Sequence, residues 1–569
     1  MKIKDTLISI FPDNKLPVIF LFFLLMWFGI LTLTGTLFSG YHFIDDHGIF
    51  KESQDVAHTT ILREANIFKR NLTASTMRFR PFYWFHRRMM LAVLGTDFTA
   101  LSIYIGFLAV FTSFFLFLFM RKTGFSTLES VLFVCLTLLG EQAAVWWMLG
   151  TGETLGMLLF SLALLFMALS VFSNRKKILS NVLFVIFTIL ASWTKESFIL
   201  MIPALIFLKL WLTYQKEEKP SCSSCLRGEN IVISVVLLLV CIVELIHILR
   251  NVGTTGVVYA GYEGFTVTKF LKILIQMTMS THGWVILIQL VLIGIVYYVK
   301  SKKHKITALL TPLHTLLWPV ILAGLIVVPQ VALYMKSGIQ ERYLLPGAIG
   351  YTFLMVVLLR YVRLNTLLSR ELKWKAKEKR PQLVVLILLI IVALLQLRVT
   401  RYTAIGFARD GQHTNAWLHS IQQNTQPQDL VLVITRMKKH YEASISLKTY
   451  MDFKMKRKNT LFSPVTLDIK PSKHIFWKQL NNDFYSRFPG FRLQDPGDRD
   501  CVQTIIIFPG LEKRFLDFSA PWFKPAQFKR YTNDGGYVSY YKKRNLLSTG
   551  VLHRTHPRDG VCLLRSCSY

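Results

Sequence analysis

A chain of 569 residues that is 52% hydrophobic, with a mean hydropathy of +0.41, holds more apolar surface than one soluble core can bury. Its apolar runs of roughly 20 residues have the length that crosses a bilayer as a helix. The formal charge of +33 is dispersed over short loops and the C-terminal region, with no nucleic-acid module to gather it, which excludes nucleic acid as a partner.

Hydropathy predicts about eleven spans, near 16–39, 99–120, 126–148, 153–173, 178–194, 197–214, 230–250, 283–300, 313–334, 342–361 and 382–399. The first is followed by further spans and has no small-residue cleavage site, so it reads as an anchor. Lys and Arg are retained in cytoplasmic loops, and they recur in alternate loops: Lys2 and Lys4, Arg121-Lys122, Arg175 to Lys177, Lys216 to Arg227, Lys300 to Lys305, and Arg360 to Arg380. This places the N-terminus inside and everything after about Arg398 outside. The expected fold is a polytopic α-helical membrane domain over 1–400 followed by a basic extracytoplasmic α/β domain over 401–569. Within the latter, Gly411–Ser420 reads as helix, and Asp429–Thr435 and Gln503–Phe508 read as strands.

The polar residues gather in the outside loops. The first such loop carries Tyr41-His42-Phe43-Ile44-Asp45-Asp46-His47 directly after the first span, then Arg78, Arg80 and His86. The next has Glu141, Trp146, Trp147 and Glu153 at its edges, the tryptophans reading as an interfacial belt. A third is the hairpin tip Ser192-Trp193-Thr194-Lys195-Glu196-Ser197, and the last holds Lys336, Glu341 and Arg342. Ionisable groups beside a bilayer are costly and tend to mark function. Carboxylates with Arg and Lys suit transfer of a group from an anionic lipid carrier: a carboxylate takes the acceptor's proton, and the cations hold the departing phosphate. The bland readings are a turn or helix cap for Asp45-Asp46 and an ion pair closing the hairpin for Lys195-Glu196.

Cysteine adds little. Cys222-x-x-Cys225 lacks the second pair that would complete a zinc site, and Cys501, Cys562 and Cys567 leave their pairing open. His42 and His47 beside the two Asp leave a divalent ion as an option, but no metal is required by the pattern.

Three of these elements resemble the GT-C superfamily of polytopic membrane glycosyltransferases, which use polyprenyl- or dolichyl-phosphate sugars: Phe43-Ile-Asp-Asp-His47 after the first span, Arg78-Phe-Arg-Pro-Phe-Tyr83 ahead of the second, and Thr194-Lys-Glu-Ser197. The last is similar to the Lys-Glu motif of the protein O-mannosyltransferase-like members, and Glu341-Arg-Tyr-Leu-Leu-Pro346 looks like the Arg-containing outside loop of the aminoarabinose-transferase-like members. The resemblance implies Asp45 or Asp46 as catalytic base and Arg80, Lys195 and Arg342 as donor-phosphate ligands. It further implies that Glu196 orients Lys195 or the acceptor, with Glu341, Arg78 and His47 in support and no resident cofactor. Many members have Asp-Glu where this chain has Asp45-Asp46, which leaves open both the choice of carboxylate and the need for a metal.

The expected function is transfer of a sugar from a polyprenyl-phosphate donor to a glycan or protein acceptor on the extracytoplasmic face. Short cytoplasmic loops fit a bacterial plasma membrane, with the endoplasmic reticulum as the alternative. Competing expectations are an oligosaccharide ligase or polymerase using diphosphate-linked glycans, and a lipid or solute transporter for which Glu244 and His247 would be the polar residues within a span.

Overall fold

The computed structural model describes residues 15–43, 46–57, 79–173, 177–216, 228–252, 266–301, 310–335, 338–339, 341–368, 380–464, 475–493, 495–519 and 523–543. The chain divides into two compact units: Met1–Leu37, Thr59–Met89 and Ala100–Ile405 form the first, and Phe38–His58, Met90–Thr99 and Gly406–Tyr569 the second.

The protein is a polytopic helical membrane protein. Among the described residues seven helices are long and apolar enough to cross a membrane: Leu16–Leu33, Phe98–Lys122, Gly152–Phe172, Glu196–Lys216, Gly228–Arg250, Leu316–Leu333 and Leu383–Asn424. Val267–Ser280 and Val285–Ile295 are bent by 78° at a short break and make an eighth if taken as one broken span. Three apolar helices, Thr127–Leu138, Lys177–Ser192 and Ala348–Tyr361, are shorter.

Most expected spans fall on helices, but the one near 342–361 becomes helical only at Ala348, the helix Val267–Ser280 is not among them, and 126–148 differs instructively. Ser126 and Glu129 form a capping box that starts a helix at Thr127, but it stops at Leu138 because Gly140 sits at φ +102°, a conformation that favours glycine. The Gln142 amide folds back to donate to the Leu136 and Thr137 carbonyls, each at 3.3 Å, which satisfies carbonyls left open by the helix end. The Gly140 N–H donates to Thr400 Oγ1 at 2.7 Å. The chain then runs on as the 3₁₀ turn Glu141–Trp146. Trp146 and Trp147 are buried here rather than forming an interfacial belt. Trp146 packs on Trp27, whose indole N–H donates to Ser113 Oγ at 2.8 Å, so both rings fill space between helices where a shorter side chain would leave a void.

The second unit is an α/β domain. Its five-stranded sheet has the order β2-β1-β3-β5-β4, with β1 Leu430–Thr435, β2 Thr460–Pro464, β3 Val502–Ile507, β4 Phe528–Thr532 and β5 Val538–Lys542. β1 pairs in parallel with β2 and β3, while β5 runs antiparallel to β3 and β4. Every residue of β1 is buried and all but one of β3, as expected for parallel strands covered on both faces. β4 is the exposed edge and carries Lys529 and Arg530. The Arg530 guanidinium forks onto Glu512 at 2.7 and 2.8 Å.

The segment after the first span belongs to this core. Tyr41, Phe43 and Phe50 lie among Trp417, Tyr450, Phe508 and Tyr537. Tyr41 Oη donates to the Ser446 carbonyl at 3.0 Å, and Ser446 Oγ donates to the Phe43 carbonyl at 2.5 Å. Asn415 fastens the loop: its Oδ1 accepts from Tyr41 N at 3.2 Å, while its Nδ2 donates to Ser39 O at 2.9 Å and Tyr41 O at 3.1 Å. Phe43→Ala is expected to destabilise the second unit by about 3–5 kcal/mol, the usual loss for a buried Phe. Exposed Lys513→Ala should shift it by less than about 0.5 kcal/mol. Thermal unfolding of the purified variants measures both.

Candidate active site

The charged residues of the first unit meet where several helices end. The helix Lys177–Ser192 is closed by Trp193 and Thr194, whose N–H groups bond back to Ile189 and Ala191 at 3.1 and 3.0 Å. Lys195 follows in extended conformation, φ −163° and ψ +147°, as the cap of the short helix Glu196–Ile199. Successive side chains of extended backbone leave on opposite sides, so Lys195 and Glu196 point to different partners.

Those partners come from elsewhere in the sequence. Lys195 Nζ pairs with Glu153 Oε1, in the first turn of the helix Gly152–Phe172, and both side chains are buried. Glu196 is held by Arg80, with Nε at 3.2 and 3.1 Å from the two carboxylate oxygens and Nη2 at 2.6 Å from Oε2. The reading of Lys195 and Glu196 as a local ion pair is therefore corrected: the pairs are crossed.

Neighbouring contacts fix this arrangement. A Cβ on Gly152 would lie 2.8 Å from the Thr194 carbonyl oxygen, so the absent side chain lets the turn approach the start of that helix. Tyr83 N donates to Trp193 O at 3.4 Å, Tyr83 Oη donates to Gly150 O at 2.7 Å, and Arg87 Nη1 donates to Tyr83 Oη at 2.9 Å. Tyr343 completes the cluster, its ring 4.6 Å from Lys195 Nζ and 5.0 Å from Arg342 Cζ, and stacked on Tyr334 at 4.6 Å. Arg342 Nη2 also donates to Tyr343 Oη at 3.1 Å. Aromatic faces attract such cations.

Electrostatically the cluster keeps a surplus of positive charge. Burial opposes the charge on Arg80, but Glu196, with a further contribution from Glu153, keeps the guanidinium firmly charged. Burial pushes the Lys195 ammonium down, Glu153 opposes that, and Arg80 and Arg342 add to it. Three cations therefore share a largely buried space with two carboxylates, an arrangement that favours one further anion.

Arg80, Lys195, Glu196 and Arg342 are thus brought together, and Glu341 stands exposed at the start of the 3₁₀ turn Glu341–Leu344, in the field of Glu141. Glu153, Tyr334 and Tyr343 join the cluster without having been singled out as site residues. A carboxylate opening an otherwise apolar helix was the available signal for Glu153. Glu244, the polar residue of the transporter expectation, accepts from Ser192 Oγ at 2.9 Å, and His247 packs on Phe79.

The acidic pair lies in the second unit. Asp46 is buried, its Oδ2 accepting from His42 N at 3.0 Å, immediately before the helix His47–Ala57. Asp45 and Arg78 lie outside the described residues, and of His47 only the backbone is described. The His42 ring stacks on Phe407 at 3.7 Å and bonds Ser39 Oγ at 3.0 Å, and burial lowers its pKa to about 3. Burial, with the Asp46 charge, pushes the Tyr41 phenol well above its ordinary range. Cys501 is buried, its Sγ donating to the Gly497 carbonyl at 3.4 Å, while Cys222, Cys225, Cys562 and Cys567 lie outside the described residues. Among the described residues no group of three or more His, Cys, Asp or Glu gathers as metal ligands would.

No family model matches the chain, and no curated protein matches it. Among solved structures it is similar to ArnT from Cupriavidus metallidurans bound to undecaprenyl phosphate, at 11% identity and a TM-score of 0.44, over 91% of this chain and 97% of that one. It is also similar to the archaeal oligosaccharyltransferase AglB from Archaeoglobus fulgidus in complex with an inhibitory peptide and a dolichol-phosphate. There the identity is 10% and the TM-score 0.36, over 82% of this chain and 66% of that one.

Two outcomes test the geometry. Lys195→Met leaves Glu153 buried without its cation and should destabilise the protein by about 3–5 kcal/mol, whereas Lys195→Met with Glu153→Gln recovers most of that. A double-mutant cycle on thermal unfolding measures it. For His42 the unfolded ring has the higher pKa, so protonation favours unfolding. The stability this neutral ring contributes is complete above about 6.5 and is lost progressively as pH falls towards about 3. His42→Gln should flatten the pH dependence of the unfolding midpoint in that window.

Proposed function

We propose that the protein is a glycosyltransferase that moves a sugar from a polyprenyl-phosphate donor to an acceptor on the extracytoplasmic face. The observation that carries this reading is the cluster of Arg80, Lys195 and Arg342 held by Glu196, Glu153 and Tyr343. The four motifs that resemble GT-C enzymes add to it, since three of them supply all of these residues but Glu153. The positive-inside pattern puts the loops bearing the cluster outside and the N-terminus in the cytoplasm, in a bacterial plasma membrane with the endoplasmic reticulum as the alternative.

In this mechanism a carboxylate takes the proton of the acceptor hydroxyl and the oxygen attacks the anomeric carbon. The bond from that carbon to the phosphate oxygen breaks, and the polyprenyl phosphate leaves with the electron pair. The charge developing on phosphate is met by Arg80, whose planar fork suits a phosphate edge, and by Lys195 and Arg342 as further cations. Glu153 and Glu196 hold the cations in place before the donor arrives, so that little reorganisation is needed during reaction. We assign the base to Asp45 and a positioning role to Asp46, because the Asp46 carboxylate is committed to the His42 backbone amide. The base and the cations supply the charges the step requires, and no resident cofactor is invoked.

The test compares polyprenyl-phosphate sugars and outer-face glycans, by mass spectrometry, in cells carrying each variant. Asp45→Asn should lower transfer by about 10²–10⁴-fold, the usual contribution of a general base. Arg80→Lys keeps the charge and the partner of Glu196 but loses the fork, and should lower transfer by about 10²-fold. One lipid-linked sugar then accumulates while the matching residue disappears from a glycan. Unchanged pools with both variants would remove the transfer mechanism.

A further inference from the structure

The second unit contains a cavity of ≈ 680 Å³ built from its own residues. Its wall includes Lys51, Lys448, Lys458 and Arg487 against Asp452 and Asp483, four positive charges to two negative and a net of +2. Lys448 Nζ bridges the two carboxylates, 2.7 Å from Asp452 Oδ2 and 3.0 Å from Asp483 Oδ2. Asp452 Oδ1 is buried and has no hydrogen-bond partner among the described residues. The Asp483 carboxylate, by contrast, is exposed on the cavity wall and can accept from a donor that enters it. Burial raises the Asp452 pKa, with Lys448 opposing.

The backbone here is irregular as well. Asp452 and Phe453 sit on a single π-helical turn, Tyr450–Lys454, that follows the helix Met437–Thr449. Lys456, just beyond, has φ +55°, a conformation that non-glycine residues rarely adopt. π-turns and strained residues are concentrated at functional sites because they aim side chains that a regular helix would not. Phe453 is half-buried against the core and lends the cavity an aromatic surface.

We propose that this cavity binds an acidic saccharide, a sugar bearing carboxylate or phosphate groups. The surplus cations take the anionic substituent, the Asp483 carboxylate and the Gln479 amide take ring hydroxyls, and Phe453 takes an apolar ring face. Two carboxylates in the wall disfavour a bare anion, and the exposed Asp483 oxygens favour a ligand rich in hydroxyl donors. Naming that saccharide as part of the acceptor rests on the glycosyl-transfer reading; the binding itself does not.

Titration calorimetry of the purified full-length protein tests it, with tetragalacturonate and glucose 6-phosphate as acidic probes and maltotetraose and inorganic phosphate as the neutral and bare-anion controls. At least one acidic probe is expected to bind saturably, with both controls at least roughly tenfold weaker. Lys51→Glu with Lys458→Glu reverses two exposed charges of the wall and should weaken binding by at least roughly tenfold. The exposed Lys513→Glu, outside the cavity, should leave it unchanged. Failure of both acidic probes, equal competition by inorganic phosphate, or undiminished binding by the Lys51/Lys458 double variant would each overturn the proposal. The transfer assay separates the two readings. Sugar transfer without probe binding overturns the cavity alone, and probe binding in a protein that transfers no sugar overturns the transfer reading alone.

Discussion

Two salt bridges that cross organise the membrane unit at its charged end. Arg80 reaches Glu196 and Lys195 reaches Glu153, so two adjacent residues of one turn are tied to two segments that are distant in sequence. Buried charges are tolerated only when paired and hydrogen-bonded, and each pair here fixes the position of a chain segment that carries the other elements of the cluster. Gly152 allows the approach, Tyr83 bridges it, and Tyr343 lies over the ammonium. A cation held this way has little freedom left to lose on binding a phosphate, which is the physical content of preorganisation.

The loop after the first span is fixed by a different means. Aromatic packing of Tyr41, Phe43 and Phe50, with the Asn415 hydrogen bonds, makes it part of the α/β core rather than a mobile surface connection. His42 and Asp46 close a small turn inside that packing. The Asp46 carboxylate is thereby placed by the rigidity of a packed core rather than by a free loop.

Much of this was legible in the sequence, and the failures have physical causes. Long apolar runs located the helices, because only helix satisfies the backbone in lipid. Two β-branched runs located β1 and β3, whereas β2, β4 and β5 are short and mixed in composition and left no such trace. Arg80, Lys195 and Arg342 were found because charge is conspicuous beside a membrane. Their partners were not: adjacency suggested Lys195 with Glu196, and only the extended backbone at Lys195 separates them. Trp146 and Trp147 were misplaced for a similar reason, since composition cannot distinguish a ring at the lipid boundary from one between helices. The cavity at Asp452 had no signature, because its residues come from Lys51, a π-turn and a later helix.

The joining of Phe38–His58 to the C-terminal unit also sets an order of events in biogenesis. Tyr41 bonds Asn415 across 374 residues and Ser446 across 405. The aromatic residues of the N-terminal segment are therefore synthesised early and stay without their native partners until nearly the whole membrane region has been made. Contacts of such sequence separation form slowly and leave apolar surface exposed meanwhile. Translation from the C-terminal half alone would yield a sheet lacking part of its core. The two ends of the chain mature together, and the membrane helices between them are inserted while that closure is pending.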